Sequence, residues 1–205
     1  MPISMFMTGP REKTVRGFSM LELLIVLSIT IVISVLALPS LLALGRNYRS
    51  VGDGQDLYSM IGLAKMRAAA DFTHARVYAD LNGKSLHIEV WNTTSSVWTT
   101  EGGTQNLASG DAFGYGSFTN APPNTQGTLG QSAACRDNSN TSDIANTACI
   151  IFNSRGIPID NTSSPTGSDA LYITDGKVVY GVTVAATGLM RYWRGDRSST
   201  TWSLH

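Results

Sequence analysis

The stretch VRGFSMLELLIVLSITIVISVLALPSLLALG, residues 15–45, decides how this chain begins. The 22 residues from Leu23 to Leu44 carry no charge, and a helix of that length can cross a lipid bilayer. Glu22 lies directly before this run, five residues after Gly17. A carboxylate at the edge of a membrane segment needs an explanation.

Two ordinary explanations are open. Arg11, Lys13 and Arg16 could form the charged start of a secretory signal peptide, but the apolar part of such a peptide is about 7–15 residues long and ends at a small-residue cleavage site. The run here is longer, and no Ala-x-Ala pattern follows Pro39. The segment could also be a simple anchor, because a carboxylate near a helix end costs less than the ~2.5–3.5 kcal/mol of one at the bilayer centre.

A third explanation accounts for the position of the glutamate. Cleavage between Gly17 and Phe18 would give Phe18 a positively charged amine, four residues and about one helical turn from Glu22. The carboxylate would also lie in the first helical turn, where the helix dipole favours negative charge. In an assembly of such helices, a neighbour shifted along the axis could supply the amine instead.

The stretch GFSMLE from Gly17 to Glu22, followed by an uncharged helix, resembles the leader signal of type IV pilins and type II secretion pseudopilins. The resemblance implies that a prepilin peptidase removes residues 1–17 and methylates the amine of Phe18. It also implies that Glu22 recruits subunits by pairing with a neighbour's amine, and that Pro39 kinks the helix. The expected location is the bacterial inner membrane, with a single span and the remainder in the periplasm.

Composition agrees with an exported, envelope-located protein. Removal of the leader would leave 188 of the 205 residues, with 12 basic and 14 acidic side chains and a net charge of −2. That balance excludes nucleic-acid binding over the whole surface. No nucleophile elbow or phosphate-binding loop is present, and the three histidines show no metal-ligand spacing, so we expect neither an enzyme nor a cofactor.

The two cysteines, Cys135 and Cys149, both follow the apolar segment. In an oxidising periplasm we expect them to pair, closing a loop of about 15 residues and stabilising the fold by roughly 3 kcal/mol. Two separate buried thiols are the alternative.

The domain organisation predicted from the sequence is a leader at 1–17, a membrane and polymerisation helix at 18–44, an amphipathic continuation at 45–71 and a head at 72–205. Within the continuation, four apolar residues recur at helical spacing and should face the head. They are Leu57, Ile61, Ala64 and Ala68. Glycines at 45, 52 and 54 favour a bend or local melting between the two helical parts.

The head has the pattern of an antiparallel β-structure. Asn82-Gly83 predicts a hairpin between strands at 76–81 and 84–91, with His87 on its exposed face. Further strands are predicted at 97–100, 112–118, 148–152, 170–174, 177–184 and 189–194. The fold class is therefore α+β, with a long N-terminal helix packed on a β-sandwich or a pair of small sheets.

The C-terminal pattern is similar to the GspH/FimT branch of minor pilins and pseudopilins. Phe152 and Gly156 match a strand and turn of that branch, and Gly188 and Arg191 match its closing hairpin. The implied function is a minor pilin or pseudopilin that helps to initiate or cap a filament. Its partners would be other pilins or pseudopilins, the prepilin peptidase and the inner membrane.

Two other functions stay open. Some pilins of this branch bind DNA, and Arg191, Arg194 and Arg197 lie among aromatic residues that could stack on bases. Three arginines support only weak, salt-sensitive contact with phosphates. The other alternative is a single-pass periplasmic protein without a polymer partner.

Overall fold

The computed structural model describes residues 17–199 and 201–205. The predicted leader lies outside these residues, apart from Gly17. The described part divides into two compact units, with the boundary between Gly45 and Arg46. One helix, α1 (Met20–Ala70), contributes to both units.

The first part of α1 is an apolar helix whose side chains face outward. From Met20 to Leu38 the mean hydropathy is 2.7, which makes this the one segment of the described chain long and apolar enough to cross a bilayer, judged by length and composition. Its few hydroxyls bond to the helix itself: Ser28, Thr30 and Ser34 each donate to the carbonyl four residues earlier. Each of these three hydroxyls therefore has a hydrogen-bond partner within the helix, which is what a polar group in a bilayer interior requires.

The second part of α1 is amphipathic and belongs to the head. Leu57, Ile61, Ala64 and Ala68 are completely buried, which confirms the predicted apolar stripe. Helix α1 continues through residues 45–54, so the local melting predicted there is absent, whereas the bend stays a prediction. Helical hydrogen bonds and the packing that begins at Ser50 outweigh the low helix propensity of the glycines.

Within the described residues, ten strands follow in two antiparallel sheets of five. Sheet A has the order β3-β2-β1-β5-β6, and sheet B has the order β10-β9-β8-β7-β4. The strands are β1 (Ala75–Asp80), β2 (Ser85–Asn92), β3 (Val97–Asn106), β4 (Ala112–Phe113), β5 (Thr147–Phe152), β6 (Pro158–Ile159), β7 (Asp169–Thr174), β8 (Val178–Val184), β9 (Met190–Asp196) and β10 (Trp202–Leu204). The predicted α+β class, with a helix packed on a pair of sheets, is confirmed.

The main core lies where the buried stripe of α1 meets both sheets. Alternate residues of β1 and β5 from sheet A join alternate residues of β7 and β8 from sheet B in one apolar cluster. The cluster includes Ala75, Val77, Ile150, Phe152, Leu171, Ile173 and Val182, all completely buried. Because one stripe of helix contacts residues from two sheets, the helix is part of the head's core.

The hairpin between β1 and β2 is present, but its turn differs from the predicted one. Asp80 pairs with Ser85, which leaves four connecting residues instead of two. The Asp80 carboxylate accepts hydrogen bonds from the amides of Asn82 and Gly83, and Lys84 takes the positive φ of 53°. An aspartate side chain that captures backbone amides therefore sets this turn.

Other strand boundaries also differ from the prediction. Strand β3 continues to Asn106 through two glycines. Glycine is depleted in strands, so the sequence did not predict this extension. Strand β4 ends at Phe113 instead of residue 118. Strands β6 and β10 are only two and three residues long, too short for a periodic pattern.

The outer face of sheet A is covered, which the sequence did not indicate. Cys135 and Cys149 form a disulfide that ties the loop before β5 to this face. Beneath it Arg76 is completely buried, and its Nε donates to Glu89 at 2.6 Å. His87, expected on the exposed face, is instead half-buried and stacked on Tyr78 at 4.8 Å.

Burial of Glu89 opposes its ionisation, but a hydrogen bond from His87 and the charge of Arg76 outweigh that effect and lower the pKa of Glu89. The pair of Arg76 and Glu89 therefore stays charged inside the head.

Candidate functional site

The start of α1 has a defined cap. The hydroxyl of Ser19 accepts a hydrogen bond from the amide of Glu22 at 3.2 Å, and the Ser19 carbonyl accepts one from Leu23. Ser19 is therefore the N-cap, and Glu22 occupies the third helical position. The stretch Ser19-Met20-Leu21-Glu22 matches the capping-box pattern, which offers Glu22 a local structural role beside any role in assembly.

Phe18 lies outside the helix, two residues before its first residue. The helix begins after the Ser19 cap, so Phe18 is not part of its first turn. The predicted proximity of Glu22 to an amine on Phe18 applies to a chain cleaved after Gly17 and stays a prediction. Phe18 is 78% exposed. The Glu22 side chain is exposed and has no ion-pair partner among the described residues.

Helix α1 is not interrupted at Pro39. A kink at this residue stays a prediction.

Two of the residues that carried the C-terminal resemblance, Gly156 and Gly188, approach each other closely in the head. Phe152 is completely buried in the main core. Gly156 and Gly188 both have positive φ, 71° and 75°, and a Cβ on Gly188 would overlap the carbonyl oxygen of Gly156. Lys65 of α1 lies against Gly156 and donates from its Nζ to the Gly188 carbonyl at 2.8 Å.

Two turns that are distant in sequence are thus joined to each other and to the helix. We call this set of Lys65, Gly156 and Gly188 the lysine clamp. The sequence showed the glycines, but nothing in it indicated that a lysine on the helix lies against Gly156 and donates to the Gly188 carbonyl. Their function in the head is therefore to allow close packing.

The three arginines of the DNA hypothesis do not form one patch. Side chains alternate along β9, and this strand pairs with β8 in unbroken register, so Arg191 and Arg194 point to opposite faces of sheet B. Arg194 lies on the face of Tyr192, and its Nε is buried, while a hydrogen bond links its side chain to Tyr180. Arg197 follows the strand and is exposed.

A buried acidic contact fastens the second part of α1 to the loop before β4. The hydroxyl of Ser50 donates to Asp111 at 2.9 Å, and Asp53 accepts a hydrogen bond from the amide of Ala108 at 2.7 Å. Asp53 and Asp111 are 8% and 3% exposed. Burial raises the pKa of Asp111 to about 6; the Ser50 hydrogen bond opposes this, and the neighbouring Asp53 adds to it. Nothing in the sequence pointed to this pair.

Within residues 17–199 and 201–205, no three His, Cys, Asp or Glu side chains lie together in a way that could hold a metal ion.

No family model matches the chain, and no curated protein matches it. A solved structure that it resembles is the minor pseudopilin EpsH from the Type 2 Secretion System of Vibrio cholerae. The identity is 14% and the TM-score 0.45, over 70% of this chain and 95% of that one.

Proposed function

We propose that this protein is a pilin-like subunit of the minor pilin or pseudopilin kind. Residues 18–44 anchor it in the bacterial inner membrane, and the head lies in the periplasm. Its partners are other pilins or pseudopilins, whose N-terminal helices pack beside its own in a type IV pilus or a type II secretion pseudopilus. The head then helps to start or cap the filament.

One observation carries the proposal: Glu22 is the single charged residue between Phe18 and Gly45, and no described residue supplies its cation. An unpaired charge in an apolar environment is costly, whereas a charge with a fixed partner is tolerated. The first part of α1 also exposes apolar side chains all round, so it requires lipid or neighbouring helices.

The mechanism follows from the chemistry of the N-terminus. A prepilin peptidase cleaves after Gly17 and methylates the new amine of Phe18, which keeps its positive charge. In the membrane this amine pairs with Glu22 of an adjacent subunit, setting the axial stagger between two helices. Each added subunit brings one amine and one carboxylate, so the pairing repeats along the filament.

The test must separate pairing from capping, because Glu22 occupies a capping-box position. Glutamine can serve in a capping box as glutamate does, but it carries no charge. We therefore expect Glu22→Gln to insert in the membrane normally and to be absent from sheared or purified filaments. Ser19→Ala is the matched control: it removes the cap, at a cost of about 1 kcal/mol, and retains the charge.

Incorporation of the glutamine variant at the wild-type level, together with loss of the Ser19→Ala variant, would assign Glu22 to capping alone. The protein would then be a single-pass periplasmic protein without this assembly mechanism.

A further inference from the structure

Two exposed arginines lie on α1 directly after the uncharged run. Arg46 and Arg49 follow Leu44 by two and five residues, and both side chains are exposed. They are three residues apart, so they project from the same side of the helix. Neither guanidinium has a hydrogen bond or an ion pair with any residue that the structure describes. Both cations are therefore available to an external partner.

The side of α1 that carries these arginines becomes part of the head one turn later. Arg46 and Arg49 precede Ser50 and Asp53 by four residues each, and residues four apart share a face of a helix. Ser50 and Asp53 are buried, and both bond to the loop before β4. The two arginines therefore continue the head-facing side of the helix to a level that the head does not cover.

That level matches the headgroup layer of a bilayer. The hydrocarbon core is about 30 Å thick, and each headgroup layer adds about 5–8 Å. The run from Leu23 to Leu44 spans about 33 Å as a helix, at about 1.5 Å per residue. On the same scale, Arg46 and Arg49 lie about 3 Å and about 7.5 Å beyond Leu44 along the helix. A run that fills the core therefore puts both guanidinium groups at the depth of the lipid phosphates.

The neighbouring side chains also suit this depth. Tyr48 lies between the two arginines in sequence and is 70% exposed. Amphipathic aromatic side chains of this kind are enriched at the interface between membrane and water. The first acidic residue after Glu22 is Asp53, which is buried. Residues 45–52 therefore carry two exposed positive charges and no negative one, which complements an anionic membrane surface.

We propose that Arg46 and Arg49 bind the headgroup phosphate of an anionic phospholipid in the periplasmic leaflet. A guanidinium donates two parallel hydrogen bonds to phosphate oxygens, which suits it to this ligand. A zwitterionic lipid carries the same phosphate, but its own ammonium group offsets the charge. The contact sets the depth of α1 in the bilayer. It rests on the proposed insertion of residues 18–44 in the membrane, and it does not depend on filament assembly.

The test is native mass spectrometry of the full chain released from nanodiscs that contain equal amounts of phosphatidylglycerol and phosphatidylcholine. One arginine near an anionic membrane strengthens the attraction about fivefold. We therefore expect the first retained lipid to be mainly phosphatidylglycerol. The double variant Arg46→Gln/Arg49→Gln should lower the ratio of retained phosphatidylglycerol to phosphatidylcholine at least about fivefold.

The matched control is the double variant Arg155→Gln/Arg197→Gln, which removes two exposed arginines of the head outside α1. It should retain the wild-type ratio. The basic residues before Phe18 are present in every protein, so the change from wild type isolates the arginines on α1. Glutamine and arginine have similar helix propensity, and circular dichroism verifies that each variant is folded.

Flotation with phosphatidylcholine vesicles separates this proposal from the proposed function. Failure of the wild-type chain to insert would contradict both. Normal insertion of all three proteins, with the same lipid ratio for wild type and Arg46→Gln/Arg49→Gln, would overturn the lipid site alone.

Two further results would assign the arginines to another anion and would equally contradict the lipid. Loss of the phosphatidylglycerol preference on addition of inorganic phosphate, at constant ionic strength, would indicate a site for free phosphate. An unchanged lipid ratio, together with absence of Arg46→Gln/Arg49→Gln from filaments, would indicate acidic groups of a neighbouring subunit.

Discussion

The two parts of α1 have opposite relations to their surroundings. From Met20 to Leu38 the apolar side chains are exposed, as Ile29 is at 54%. After Arg46 the apolar side chains at helical spacing are completely buried, as Ile61 is. One helix therefore combines a segment that requires an external apolar environment with a segment that forms part of a protein core.

Polar and charged groups also differ between the two parts of α1. The second part of α1 finds its polar partners within the head: Lys65 bonds to Gly188, and Ser50 bonds to Asp111. In the first part, the backbone amide of Glu22 donates to Ser19, and its carboxylate has no ion pair with any described residue. Two polar side chains of the second part are therefore held by the head, whereas the Glu22 carboxylate has no such contact within the part of the chain that the structure describes.

The largest expected change in stability comes from a pair of matched substitutions, one in each part of α1. Ile61→Ala removes a fully buried side chain from the core and should lower the free energy of unfolding of the head by about 2–5 kcal/mol. Ile29→Ala, the same change in the exposed part, should alter it by less than about 0.5 kcal/mol. Denaturant titration of both variants in detergent, monitored by tryptophan fluorescence, measures the difference. Equal losses would contradict the division of α1.

A substitution in the lysine clamp should change the stability somewhat less. Gly188→Ala puts a Cβ against the Gly156 carbonyl at a positive φ, and it should cost about 2–3 kcal/mol. Gly176→Ala is the control, because its φ is 85° but no atom lies within 4 Å of the added Cβ. It should cost only the backbone strain, about 1 kcal/mol. Similar melting temperatures for the two variants would show that the clamp does not fasten the helix.

The acidic contact at Ser50 predicts a dependence on pH. The pKa of Asp111 is raised from 3.8 to about 6 in the folded state, so its contribution is present below about pH 4 and is lost as the pH rises through 6. Wild-type stability should therefore contain a decrease between about pH 4 and 6 that Asp111→Asn lacks. Asp71→Asn, at an exposed position, is the control. Melting curves across this range that decrease equally in all three proteins would exclude Asp111 as the cause.

The sequence predicted the fold best where periodicity is strong. The uncharged run after Glu22, the stripe through Leu57 and Ile61, and the β-branched strands of sheet B all match the structure. It predicted poorly where a side chain captures backbone amides, as Asp80 does, and where glycines occupy a strand, as in β3. Neither leaves a periodic signal.

The site was predicted unevenly for the same reason. The motif from Gly17 to Glu22 is local, so the sequence displays all of it. The buried pair of Arg76 and Glu89 and the contact between Ser50 and Asp111 join residues far apart in the chain or opposite in a sheet. Only the register of β1 with β2, and the packing of α1 on the head, bring them together.

The most direct test of the account is the intact mass and N-terminal sequence of the protein extracted from the cell envelope. The account predicts a chain that begins at Phe18 and carries one methyl group on its amine. A chain that still carries the residues before Phe18, in cells whose filaments have assembled, would contradict it, because Glu22 would then lack the cation on which the mechanism depends.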